Sequence, residues 1–73
     1  MRIQVDHRPD ERGASAPLCL HFGRRRIKVR EMVDQWYGPD YRYIKVRSHD
    51  GDLYILRLDE PHDAWSLIMY QRA

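Results

Sequence analysis

Apolar and polar residues alternate with period 2 along most of the chain, the signature of strands whose successive side chains point to opposite faces. Ile3 and Val5 alternate in a short first strand. Leu18, Leu20 and Phe22 alternate next, Gly23-Arg24 interrupts, and Ile27 and Val29 resume. A two-residue primed turn at Gly23-Arg24 suits this break, because glycine supplies the positive φ. That register pairs Phe22 with Arg25, Leu20 with Ile27 and Leu18 with Val29, and leaves Cys19 with Lys28 and His21 with Arg26 on the other face. A slip of one residue would mix the two faces, so the register is well specified. The stretch His7 to Pro17, rich in Pro, Gly and Ser, reads as a loop, with a mobile segment expected over 8–16.

Two segments require a choice. Val29, Met32, Val33 and Trp36 fall at helical spacing, yet Arg30 and Glu31 stand where an N-cap would be expected and the segment is short. A strand with a bulge near Arg30-Glu31, which moves the inward positions from Val29 to Met32 and Trp36, is preferred; a short helical turn over 31–36 is the competing expectation. Gly38-Pro39 ends the element by turn chemistry. The segment Asp40 to Glu60 reads as a hairpin. With His49-Asp50-Gly51 as a three-residue loop and Gly51 left-handed, Val46 faces Tyr54, Ile44 faces Leu56 and Arg42 faces Leu58. The opposite face then collects Tyr41, Tyr43, Lys45, Arg47, Leu53, Ile55, Arg57 and Asp59. A two-residue turn would place Lys45 beside Leu56 and Arg57 beside Ile44, burying unpaired charge among apolar groups. After the Pro61 turn, Trp65, Leu67 and Met69 alternate with Ser66, Ile68 and Tyr70, so the last strand is apolar on both faces.

Together these segments predict an all-β protein, a single domain over 1–73. Its small antiparallel meander of five to six strands should curl into an SH3-like barrel or roll, since so short a chain cannot leave its inner face open. The predicted core is Ile3, Val5, Leu18, Leu20, Phe22, Ile27, Val29, Trp36, Ile44, Val46, Tyr54, Leu56, Leu58, Trp65 and Leu67. A hydrophobic content of 42% with 33% charged residues fits a folded domain and excludes a disordered tail. No apolar run is long enough for a transmembrane helix, so no membrane partner is expected. The start of the chain has no apolar stretch of the secretory kind. One cysteine, Cys19, argues against both an internal disulfide and a cysteine-based zinc site, and a reducing cytoplasm is the expected location.

The pattern resembles a group of small uncharacterised bacterial proteins. It is also similar to the short C-terminal β domain of inactive Y-family polymerase-like proteins of mutagenic repair assemblies. The likeness runs from Pro17 to Leu67: Pro-Leu-x-Leu-x-Phe-Gly-Arg-Arg, Val-x-x-Met-Val-Asp-x-Trp, Tyr-Arg-Tyr-Ile-x-Val-Arg, Asp-Gly-x-x-Tyr-x-Leu and Asp-x-Trp-x-Leu. It rests on the turn glycines Gly23 and Gly51 and on Val29, Trp36, Tyr54, Trp65 and Leu67. The resemblance implies a β fold and an accessory place in DNA repair, and it brings no active site.

Catalysis finds little footing in these residues. His49-Asp50 and His62-Asp63 are sequence neighbours on turns, where base and orienting acid seldom face each other, and no phosphate loop or nucleophile elbow is present. No paired metal-ligand spacing such as His-x-x-x-His occurs, so a non-catalytic protein without metal or cofactor is expected. Two surfaces stand out instead. The face with Tyr41, Tyr43, Leu53, Ile55 and Arg57 suits a protein partner or a homodimer, because Leu53 and Ile55 fit poorly in a wet phosphate groove. The segment Gly23 to Arg30 gathers Arg24, Arg25, Arg26, Lys28 and Arg30, and with Lys45 and Arg47 offers a second function, weak nucleic-acid binding. The basic set is lopsided, eleven arginines to two lysines, yet eleven acids nearly balance it.

Overall fold

The computed structural model describes all 73 residues. Six antiparallel strands close in sequence order: β1 (Arg2–Pro9), β2 (Ser15–Phe22), β3 (Arg25–Tyr37), β4 (Arg42–Ser48), β5 (Leu53–Asp59) and β6 (Ala64–Gln71). Each strand pairs with its neighbours in the chain, and β1 pairs with β6 to complete a small barrel. The expected all-β meander is therefore the fold found, with a single 3₁₀ turn at Glu60–His62. No helix is long and apolar enough to cross a membrane.

The two hairpins close as their turn residues dictate. At Gly23, in the left-handed region at φ 59°, Phe22 pairs with Arg25, Leu20 with Ile27, and Cys19 with Lys28. At Gly51, φ 90°, the Ser48 N–H donates to the Asp52 carbonyl, so a three-residue loop separates β4 from β5. Arg42 then faces Leu58, Ile44 faces Leu56 and Val46 faces Tyr54. Leu20, Ile44, Val46 and Leu56 are fully buried, and Ile3, Ile27, Tyr54, Leu58 and Trp65 complete the core. Val5, Phe22, Val29 and Leu67 pack against it.

Four bulges reshape the expected pattern. On β3 the pairing shifts across Arg30, which puts Met32 opposite the buried Val46 as expected, although its side chain is 37% exposed, and shifts again across Val33. Nothing in the alternation marks the second shift. It turns Gln35 inward opposite Ile44 and puts Trp36 outside opposite Tyr43, so Trp36 is 41% exposed and not part of the core. The helical turn over 31–36 does not form. On β2 the extra residue is Leu18: Cys19 pairs with Asp6 while Pro17 pairs with His7. Leu18 is exposed, Pro17 takes the buried place, and Val29 pairs with Ser48 in place of Leu18. On β6 the shift falls on Ile68, so Met69 lies opposite Ile55 on the outer face.

The loop expected over 8–16 is shorter. Arg8, Pro9, Ser15 and Ala16 belong to the β1–β2 ladder, and only residues 10–14 connect the strands. Asp10 ties that connection, because its Oδ1 accepts the Arg12 and Ala14 N–H groups at 2.8 and 3.0 Å.

One charge sits in the core. Arg42 is 1% exposed. Its Nε and Nη2 donate to Gln35 Oε1 at 2.9 and 2.6 Å, and its Nη1 donates to the Ser15 carbonyl. Beyond Cys19 and Lys28, β2 and β3 no longer pair with each other. The guanidinium spans the place where they part, joining Gln35 of β3 to Ser15 of β2. A planar fork with donors on three nitrogens meets this geometry, whereas a lysine would present a single point charge.

Candidate functional site

The outer face of β3 to β6 is built in three cross-strand rows. They run Trp36–Tyr43–Arg57–Ser66, then Asp34–Lys45–Ile55–Met69, then Glu31–Arg47–Leu53–Gln71. Directly opposed residues share a face, so these rows follow from the register alone. The rings of Trp36 and Tyr43 stack with centroids 5.7 Å apart and planes 9° apart. The Arg57 guanidinium carbon lies 4.6 Å over the centre of the Tyr41 ring, a cation–π contact. Tyr41, Tyr43, Leu53, Ile55 and Arg57 are each half-buried by these neighbours. Exposed apolar groups flank them: Met69 at 50% and Ile68 at 47% on β6, and Trp36 and Val33 on β3. The sequence missed Trp36 and Met69 as members of this face, because both reach it through bulges.

The cations divide between two places. Arg24, Arg25, Arg26, Lys28 and Arg30 are all exposed, on the Gly23 turn and the following part of β3. Arg30 alone among them makes an ion pair, 3.7 Å from Glu31. Lys45 and Arg47 instead belong to the mixed face, opposite Asp34 and Glu31, and Arg47 Nη1 donates to the Gly51 carbonyl at 3.0 Å. The structure therefore does not bring all seven cations into one surface.

Beside the Gly51 loop, Asp52 accepts from Tyr70 Oη and from the Ala73 N–H, each at 2.9 Å. The Ala73 and Tyr70 hydrogen bonds hold its carboxyl below the usual value, and the same bond to Asp52 raises the Tyr70 hydroxyl. Burial raises Tyr54, which packs 5.1 Å from Tyr70.

A third arrangement was invisible to ligand spacing. Asp6 of β1 lies opposite Cys19 of β2, and His21 follows Cys19 by two residues on the same strand face. Asp6 Oδ2 and His21 Nε2 are 2.8 Å apart, and the carboxylate, thiol and imidazole ligating atoms lie within 4.8 Å of one another. Asp6 and His21 also line an open cleft of 770 Å³ together with His7, Asp63 and Trp65.

No protein family, curated protein or solved structure matches the chain.

Proposed function

We propose that this protein is a non-catalytic interaction module that associates with a second copy of itself through the outer face of β3 to β6. The observation that carries this reading is the row Trp36–Tyr43–Arg57 beside Ile55–Met69, with Trp36 41% and Met69 50% exposed. Stacked aromatics, an arginine and a methionine are residue types enriched in interface cores. The face also carries both charge signs, Glu31 and Asp34 on β3 and Lys45, Arg47 and Arg57 on β4 and β5. A two-fold axis parallel to the strands and between β3 and β4 would set Glu31 and Asp34 of one copy against Arg47 and Lys45 of the other, which makes that arrangement self-complementary. Light scattering over a range of protein concentrations tests this. Dimers are expected, and Trp36→Ser with Met69→Ser should give a folded monomer. A wild-type protein that stays monomeric at millimolar concentration would defeat the proposal.

A second reading is favoured by the exposed cations from Arg24 to Arg30, of which only Arg30 has an acidic partner. Such a ribbon can track phosphates, with affinity falling by a log–log slope of about 0.7 per phosphate contacted on a single strand. NMR titration with a short single strand at low salt should then move resonances on β3 from Arg25 to Arg30. A spectrum unchanged there removes this reading.

A further inference from the structure

The geometry points to a transition-metal site formed by Asp6, Cys19 and His21, of the class that takes zinc, with an open fourth position at the cleft. The three side chains supply one oxygen, one sulfur and one nitrogen, the mixed donor set that suits a borderline-soft dication. Their positions are fixed by backbone pairing. Asp6 faces Cys19 and Gln4 faces His21 across the β1–β2 ladder, so all three side chains stand on the outside of the barrel. The bulge at Leu18 places the register change immediately before Cys19, keeping Cys19 on the face of Asp6 while Pro17 turns inward. Bulges of this kind re-aim side chains beside functional sites.

The distances permit closure around a metal. The three ligating atoms already lie within 4.8 Å of one another, and a tetrahedral zinc holds its donors about 3.3–3.8 Å apart, given bond lengths of about 2.0–2.3 Å. Closure requires the Cys19 side chain, the buried member of the three, to take up the remaining difference of about an ångström. His21 is 25% exposed at its side chain and Asp6 64%, so a metal has access. On binding, the Cys19 thiol loses its proton to solvent, and two anionic ligands then offset the charge of the dication. The neutral assembly explains how the site tolerates Lys28 and Arg26, which pair with Cys19 and His21 across β3. Three protein ligands leave one coordination position. Because Asp6 and His21 line the cleft, that position faces a space bordered by His7, Asp63 and Trp65, room enough for water or a small anion.

Cobalt(II) titrated into the full chain under a non-coordinating reductant tests the assignment. One equivalent should bind with thiolate-to-cobalt charge-transfer absorption and the intense visible bands of four-coordinate cobalt, and excess zinc should bleach both. Cys19→Ser should abolish the charge-transfer band. His21→Gln and Asp6→Asn should each weaken binding by about 10-fold or more, with circular dichroism unchanged. Zinc should also protect Cys19 of the wild type from alkylation by iodoacetamide and fail to protect it in His21→Gln. No charge-transfer band at millimolar cobalt overturns the proposal. So does undiminished affinity in His21→Gln, which would place the metal on His7, His49 or His62.

Discussion

The β4–β5 hairpin and the strands beside it obey different rules. From Arg42–Leu58 to Arg47–Leu53 the hairpin pairs without interruption, and its residues alternate strictly between buried and half-buried. Its neighbours do not: β3 carries bulges at Arg30 and Val33, and β6 carries one at Ile68. A six-stranded sheet must coil to close, and bulges concentrate bend and twist where that coiling is sharpest. The regular hairpin therefore builds the core, while the irregular strands decide what reaches the surface. Trp36, Ile68 and Met69 are outside because of that curvature.

Mutation should expose the contrast, most strongly at the charge that links the two regions. Arg42→Ala removes donors from Gln35 Oε1 and the Ser15 carbonyl and empties a buried site, so a loss of about 3 kcal/mol or more is expected in urea unfolding. An unchanged midpoint would show that Arg42 does not hold β2 and β3 together.

Next come the leucines. Leu56→Ala in the fully buried hairpin should cost about 2–5 kcal/mol, whereas Leu18→Ala at the exposed bulge should cost under about 1 kcal/mol. Equal losses would mean that Leu18 faces the core after all. At the turns, Gly51→Ala forces a side chain into φ 90° and should cost about 1 kcal/mol, while Gly23→Asn, at φ 59° with open space around it, should be nearly neutral in thermal melts.

The smallest effect lies at the exposed Asp52–Tyr70 bond. The Asp52 carboxyl is lowered from 3.8 on folding, so its stabilisation is complete above the unfolded value and is lost as pH falls through the lower folded value. Tyr70 is raised from 10.0, so its contribution is complete below that value and is lost as pH rises through the higher folded value. Tyr70→Phe should move the Asp52 titration back up in NMR; a carboxyl that stays put would leave the Ala73 N–H, with the nearby Arg72 and Arg25 charges, as its cause.

Much of the fold was legible because turn chemistry and period 2 agreed. Gly23 and Gly51 fixed two registers, and a charge-burial penalty chose between loop lengths at Gly51. Trp36 was misplaced because nothing about Val33 marks it as a bulge: a β-branched apolar residue fits a regular strand equally well. Leu18 looks identical to Leu20 in its alternation, and only the pairing with β1 distinguishes them. The same blind spot hid the Asp6–Cys19–His21 cluster. Its members come together only through the β1–β2 register, and the Pro- and Gly-bearing stretch between those strands concealed how far the ladder continues.

The join between β1 and β6 has a kinetic consequence. It consists of the pairs Arg2–Ser66 and Ile3–Trp65, extended by hydrogen bonds between Met1 and Leu67 in both directions. It is the briefest ladder in the molecule and links the most distant parts of the chain. Loop-closure entropy predicts that such a contact forms last, after the hairpins have assembled. The barrel therefore behaves as a bracelet with a short clasp. Amide exchange at Ile3 and Leu67 should outrun exchange at Ile44 and Leu56, and the clasp sets how often the ring opens.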